Sequence, residues 1–135
     1  MPAYRLGVIH YPPGQHWTKA EILSPSWHDV AAAIQRMDDN EYPIVELGWE
    51  EFEDDETIFN IVGGVEAGFA LFELVPGWQF EIPHGSEDRV RLWQSDQGYF
   101  CQRKNIADLD TALRLAKVYF ETGSYAAVQQ ACYPP

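Results

Sequence analysis

Between residues 43 and 75 the chain reads PIVELGWEEFEDDETIFNIVGGVEAGFALFELV, three apolar runs (44–49, 57–62 and 69–75) parted by polar and glycine-rich breaks. Val, Ile, Phe and Leu dominate the runs, residue types that fit a pleated, half-buried surface. Connections this short join antiparallel neighbours, since parallel strands need a long crossover. The stretch predicts a β-meander. The Gly63-Gly64-Val65-Glu66-Ala67-Gly68 segment reads as its second hairpin turn. It lacks the G-x-x-x-x-G-K-[ST] pattern of a phosphate loop.

A different period flanks the meander. Trp27, Val30, Ala31 and Ile34 fall at i, i+3, i+4 and i+7, which predicts an amphipathic helix. Ser24-Pro25 is read as its start, with Ser24 as cap, and Asp29 complements the dipole of the first turn. The end is expected near Met37. Late in the chain Leu109, Ala112, Leu113, Ala116 and Phe120 keep the same period, with Asp108 as cap and Gly123 as stop. Residues 124–133 would add one docked turn.

The remaining segments predict short strands. Residues 4–11 are β-like and end at Pro12-Pro13-Gly14, which strand pairing excludes. Trp17 and Ile22 are placed over a core edge, with a short strand at 20–23. Trp78, Phe80 and Ile82 alternate with Gln79 and Glu81, the period of a strand with one solvated face. Residues 89–93 and 98–102 complete the series. No strand–helix alternation occurs, so the expected fold is α+β: one domain over 1–135, an antiparallel meander sheet of five or six strands, and two main helices on one face. Residues 1–23 are read as an N-terminal extension or an added edge strand.

Charge changes the picture. The chain has 9 Lys+Arg against 21 Asp+Glu, a formal net charge of −12. Such a field repels nucleic acid and anionic membrane and draws in cationic partners. Six of the acids, Glu50, Glu51, Glu53, Asp54, Asp55 and Glu56, crowd the first meander loop, interrupted only by Phe52 and preceded by Trp49. An aromatic beside acids is the make-up of an interface anchor for a basic partner. These eight residues are the candidate partner-binding set, with Trp78 and Trp93 as a second aromatic side. Trp27 belongs to the core face of its helix.

Catalytic and metal motifs find no purchase. The acids at 50–56 are almost continuous and enclose no glycine, unlike a calcium loop. His10 and His16 flank the Pro-Pro-Gly turn without H-x-x-x-H or HExxH spacing, and no G-x-S-x-G occurs. Neither an enzyme nor a cofactor is expected. Cys101 and Cys132 form no C-x-x-C pair, a sparse usage that suits a reducing cytosol, and whether they pair is left open. No secretion signal or membrane span is read, so the expected location is cytoplasmic.

Three features coincide in a family resemblance: the early helix, the aromatic-rich meander with its glycine turn, and a late D-x-x-x-A-x-x-x-A-x-x-Y-F-x-x-G helix carried by Asp108, Ala112, Ala116, Tyr119, Phe120 and Gly123. Over residues 24–133 the chain resembles the first immunity-protein family of bacterial polymorphic toxin systems. The resemblance implies a small cytosolic α+β protein that binds a co-encoded toxin, often a nucleic-acid deaminase or nuclease, and blocks its active site. The charge reading agrees with this, since an acidic loop suits a cationic cleft. The alternatives are a small-molecule enzyme or ligand-binding domain with a pocket between sheet and helices, or an acidic adaptor. Oligomeric state is open.

Overall fold

The computed structural model describes residues 5–48, 58–73, 78–92 and 99–132. Its centre is the expected meander. Strands β3 (Ile44–Gly48), β4 (Phe59–Gly64) and β5 (Gly68–Glu73) run antiparallel, with Leu47 opposite Phe59 and Phe59 opposite Glu73. Every residue of β4 and β5 is buried, which is why their sequences read as continuous apolar runs and not as an alternation. The β4–β5 turn depends on glycine. Gly63 has φ 130°, and a Cβ there would lie 2.1 Å from the Gly68 carbonyl oxygen.

The N-terminal residues form two strands, β1 (Arg5–His10) and β2 (Thr18–Leu23), in register over six residue pairs. β1 also pairs with β3 along its length. A single added strand at the edge is therefore the wrong picture. β1 lies inside the sheet and β2 is the edge. The six-stranded order is β2-β1-β3-β4-β5-β8, where β8 is the two-residue strand Ile106–Ala107.

The alternating segment at 78–82 is not a strand. Phe80 donates its N–H to the Leu71 carbonyl at 2.9 Å and Glu73 donates to the Trp78 carbonyl at 2.8 Å, but β8 occupies the rest of that edge against Phe69 and Ala70. Two short segments share one edge strand, and neither has room to extend.

Helices α1 (Trp27–Arg36), α2 (Leu109–Thr122) and α3 (Tyr125–Ala131) pack on one face of the sheet. The α1 cap is Ser26, not Ser24. Its hydroxyl accepts the Asp29 N–H at 3.1 Å while Asp29 accepts the Ser26 N–H at 3.0 Å. That reciprocal box satisfies two orphan donors, which Ser24-Pro25 would leave open. The two hydrogen bonds from Ser26 hold the Asp29 carboxyl below its ordinary range. Helix α2 starts at Asp108 and stops at a left-handed Gly123 as expected. Ala112, Ala116 and Phe120 are buried as expected, Leu115 and Tyr119 join them, and Leu113 is only half-buried; Tyr125 of α3 packs on Tyr119 at 5.1 Å.

Strands β6 (Arg89–Leu92) and β7 (Tyr99–Gln102) exist where expected but form a separate two-stranded sheet. Leu92 and Cys101 pack with Ile9, Ile44, Val62, Ala70 and Phe72 on the sheet face away from the helices. The fold is α+β, one domain with a core on each side of the main sheet. Cys132 belongs to the helix-side core and Cys101 to the other; both are free thiols, and burial pushes both up in pKa. Among the described residues no helix is long and apolar enough to cross a membrane.

Candidate functional site

The acidic stretch Glu50, Glu51, Phe52, Glu53, Asp54, Asp55 and Glu56, with Trp49 before it, lies outside the described residues, as does Trp93. Its flanks are described. The chain leaves β3 at Gly48, beside the buried Arg5, whose Nε lies 3.5 Å from Glu21 Oε2. It re-enters at the buried Ile58, just before Phe59. Trp78 lies at this same end of the sheet, because Glu73, the cross-strand partner of Phe59, bonds to the Trp78 carbonyl.

Trp78 is not a free anchor. Its ring stacks on Phe59 with centroids 6.0 Å apart and lies 5.8 Å from Tyr125. Its indole N–H donates to Gln129 Oε1 at 2.6 Å. Phe59 in turn stacks on Tyr119 at 5.0 Å. Four aromatic rings thus close the end of the helix-side core beneath the flanks of the acidic stretch. Glu73 is buried among them. Burial raises its carboxyl above the ordinary range, and a hydrogen bond from the Trp78 backbone N–H partly offsets this. The Tyr125 phenol is pushed far up, first by burial and then by Tyr119 and Glu73. A charged group in low dielectric is costly unless bonded, which is why both shifts run towards the protonated form. Alternation around residue 78 signals the half-burial of Trp78 and the burial of Phe80. Nothing local in the sequence points to Glu73.

A second group of polar side chains sits at the other end of β3, roughly 16 Å away by strand length. His10 Nε2 lies 3.2 Å from Glu41 Oε1, and its ring stacks on Tyr42 at 4.4 Å with 4° between planes. The Arg36 guanidinium covers the Tyr42 ring at 4.5 Å. The connecting loop is shaped by Asp38, which accepts the N–H groups of Asn40 and Tyr42 at 3.0 and 2.8 Å. Beside this stack runs an open groove of about 630 Å³ lined by Tyr11, Pro12, Pro13, His16, Asn40 and Glu41, among others. His10 is engaged with Glu41 and Tyr42, and among the described residues no group of three or more His, Cys, Asp or Glu side chains comes together in a way that could hold a metal. Sequence reading missed this stack because His10 lies some thirty residues from Glu41 and Tyr42.

The space between sheet and helices is filled. Phe59, Ile61, Phe69, Leu71 and Leu115 are fully buried there, joined by Tyr119. The geometry therefore offers surfaces: an aromatic-closed sheet end carrying the acidic connection, and a shallow groove at the opposite end. No protein-family model matches the chain, and neither a curated protein nor a solved structure does.

Proposed function

We propose that this chain is a binding protein that neutralises a basic protein partner, in the manner of an immunity protein acting on a co-encoded toxin. One observation carries the reading: six carboxylates in seven positions, at 50–56, on a chain of net charge −12. They lie between two central antiparallel strands, whose flanks Gly48 and Ile58 stand at an aromatic-packed sheet end. Crowding like charges costs the free protein self-repulsion, which a cationic cleft relieves on binding. The partner would be a nucleic-acid deaminase or nuclease domain, whose substrate cleft is cationic, and the acidic stretch would occupy it in place of the polyanion. The chain itself would carry out no reaction.

The test pairs the purified chain with the toxin domain encoded beside it. A stable complex that abolishes the toxin's turnover on nucleic acid is expected. Full toxin activity in the presence of excess chain would overturn the reading. So would a turnover by the chain alone that one side-chain substitution removes.

A further inference from the structure

We propose that β2 is the interface of a symmetric homodimer, in which two copies pair their edge strands antiparallel about Ala20. The starting point is an asymmetry between the two edges of the main sheet. The β5 edge is covered by β8 and by the Trp78–Phe80 backbone. Among the described residues nothing pairs with the outer edge of β2. Five of its six residues are exposed, its register against β1 has no bulge, and it contains no proline. Bare, regular edges are templates for another strand, and proteins ordinarily blunt them with proline, bulges or charge.

The charges on β2 do not blunt it. Lys19 Nζ lies 2.8 Å from Glu46 and Glu21 lies 3.5 Å from Arg5, so each charge is partly neutralised by a neighbouring strand while both side chains keep solvent-facing surface at the edge. Large apolar side chains lie outward beside them. Trp17, Ile22 and Leu23 are 54%, 42% and 73% exposed, three of the six exposed large hydrophobic side chains among the described residues.

The sequence of this edge, Trp17-Thr-Lys-Ala-Glu-Ile-Leu23, is complementary to itself when reversed about Ala20. An antiparallel pair centred there sets Lys19 opposite Glu21 of the partner subunit, and Glu21 opposite Lys19 of the partner subunit. One step further out, Leu23 meets Trp17 of the partner subunit. Residues 19, 21 and 23 share one face of the strand by the two-residue period, and Trp17 immediately precedes it, so the matches at 19 and 21 are direct cross-strand pairs and not diagonals. On the helix face Ile22 meets Thr18 of the partner subunit, and the small Ala20 side chains meet at the axis. Acid faces base at 19 and 21 and Leu23 faces Trp17, while the Ile22–Thr18 pair alone is mixed, an isologous pattern of the kind a two-fold interface requires. A partner of unrelated sequence has no reason to find this match. The net charge of −12 opposes self-association at long range, but it is screened beyond about 8 Å at physiological salt, whereas the strand contacts lie well inside that distance.

The experiment is sedimentation equilibrium of the full chain from low micromolar to several hundred micromolar. Wild type is expected to approach twice the 15.4 kDa chain mass. Lys19→Glu and Glu21→Lys each place like charges across the axis and should weaken self-association on the order of tenfold or more. An equimolar mixture of the two variants restores Lys–Glu pairs across a heterodimer and should regain the lost mass, which an effect on folding alone would not do. Leu23→Asp, at a site exposed in the monomer, should be folded by circular dichroism and monomeric. A wild type that stays monomeric throughout the range overturns the proposal, as does a dimer unaffected by Leu23→Asp or a mixture that fails to recover.

Discussion

Trp78 donates its indole N–H to the side-chain oxygen of Gln129 at 2.6 Å, joining the segment after β5 to the last helix. With its ring stacked on Phe59, both ends of this side chain are used within the molecule. Trp78→Ala should therefore destabilise the fold by about 3 kcal/mol, the scale of removing a large aromatic from a partly formed cluster. Trp78→Phe keeps the stacking and loses the hydrogen bond, at about 1 kcal/mol. Urea unfolding of the two variants checks the order. Equal stability of Trp78→Ala and wild type would return Trp78 to the surface as a spare anchor.

Glu73 makes stability depend on pH in an uncommon direction for a carboxylate. Its folded pKa is raised by burial, so the native state holds its proton to higher pH than the unfolded chain does. Stability then falls as pH rises from the ordinary carboxylate value through the raised one. Asp29 and Asp108 act oppositely. Both are lowered, by hydrogen bonds from Ser26 and from Thr111 respectively, so their contribution is present above the ordinary Asp value and is lost as pH falls through the lowered one. Glu73→Gln should raise the thermal midpoint at pH 7 and leave it unchanged at pH 4. A midpoint that drops at pH 7 would mean the charged carboxylate is held by more than the Trp78 backbone N–H.

On α2 the side chain that matters is Leu115. It is fully buried, whereas Leu113 is half-buried. Leu115→Ala should cost about 2–5 kcal/mol and Leu113→Ala about 1 kcal/mol. Chemical denaturation separates them, and a larger loss at Leu113 would mean that the helix face is turned the other way.

The widening of that buried stripe to Leu115 and Tyr119 shows what a sequence can and cannot reveal here. The caps of α2, Asp108 and Gly123, act within four residues of themselves and are readable as local chemistry. Tyr119 is met from outside the helix, by Tyr125 of α3. The meander was legible because β3, β4 and β5 are consecutive apolar runs, with β4 and β5 joined by a short glycine turn and buried throughout. The β6–β7 hairpin shows why the rest was not. Val90 and Leu92 alternate with Arg89 and Arg91 as they would in any half-buried strand, and nothing in that alternation says which sheet face the hairpin covers. The His10, Tyr42 and Arg36 stack needs a loop folded by Asp38 to bring its members together. Of the candidate interface, only Trp78 falls among the described residues, and it proved to be tied inward.

The β4–β5 turn offers a backbone test. Gly63→Ala would force a Cβ to 2.1 Å from the Gly68 carbonyl oxygen at a φ of 130°, a region that residues with a Cβ rarely enter. A loss of about 3 kcal/mol or more is expected. Gly14, with φ 71° and open space around its Cα, should lose only about 1 kcal/mol on the same change. Thermal unfolding of the pair tells backbone strain from steric overlap. Equal losses would mean that the collision at Gly63 relaxes at no cost.

The last prediction concerns how the acidic stretch would act on a partner. Charges at the rim of an interface chiefly set the rate of encounter, while desolvated aromatic anchors chiefly set the rate of escape. Asp54, Asp55 and Glu56 are the acids nearest the β4 flank at Ile58. Changing all three to Asn, Asn and Gln removes a quarter of the formal net charge of −12. Association with the co-encoded toxin domain should slow by roughly tenfold at low salt, and the dependence of that rate on ionic strength should flatten. Trp49→Ala should leave association unchanged and speed dissociation by roughly tenfold or more, as loss of an interface anchor does. Stopped-flow or surface-based kinetics at several salt concentrations measures both constants. The two variants are complementary: one moves the approach and the other the departure, and neither should alter unfolding midpoints. Wild-type association in the triple variant, with an unchanged salt slope, would move the interface away from residues 50–56. The groove beside His16 and Glu41, at the far end of β3, would then be the surface to test.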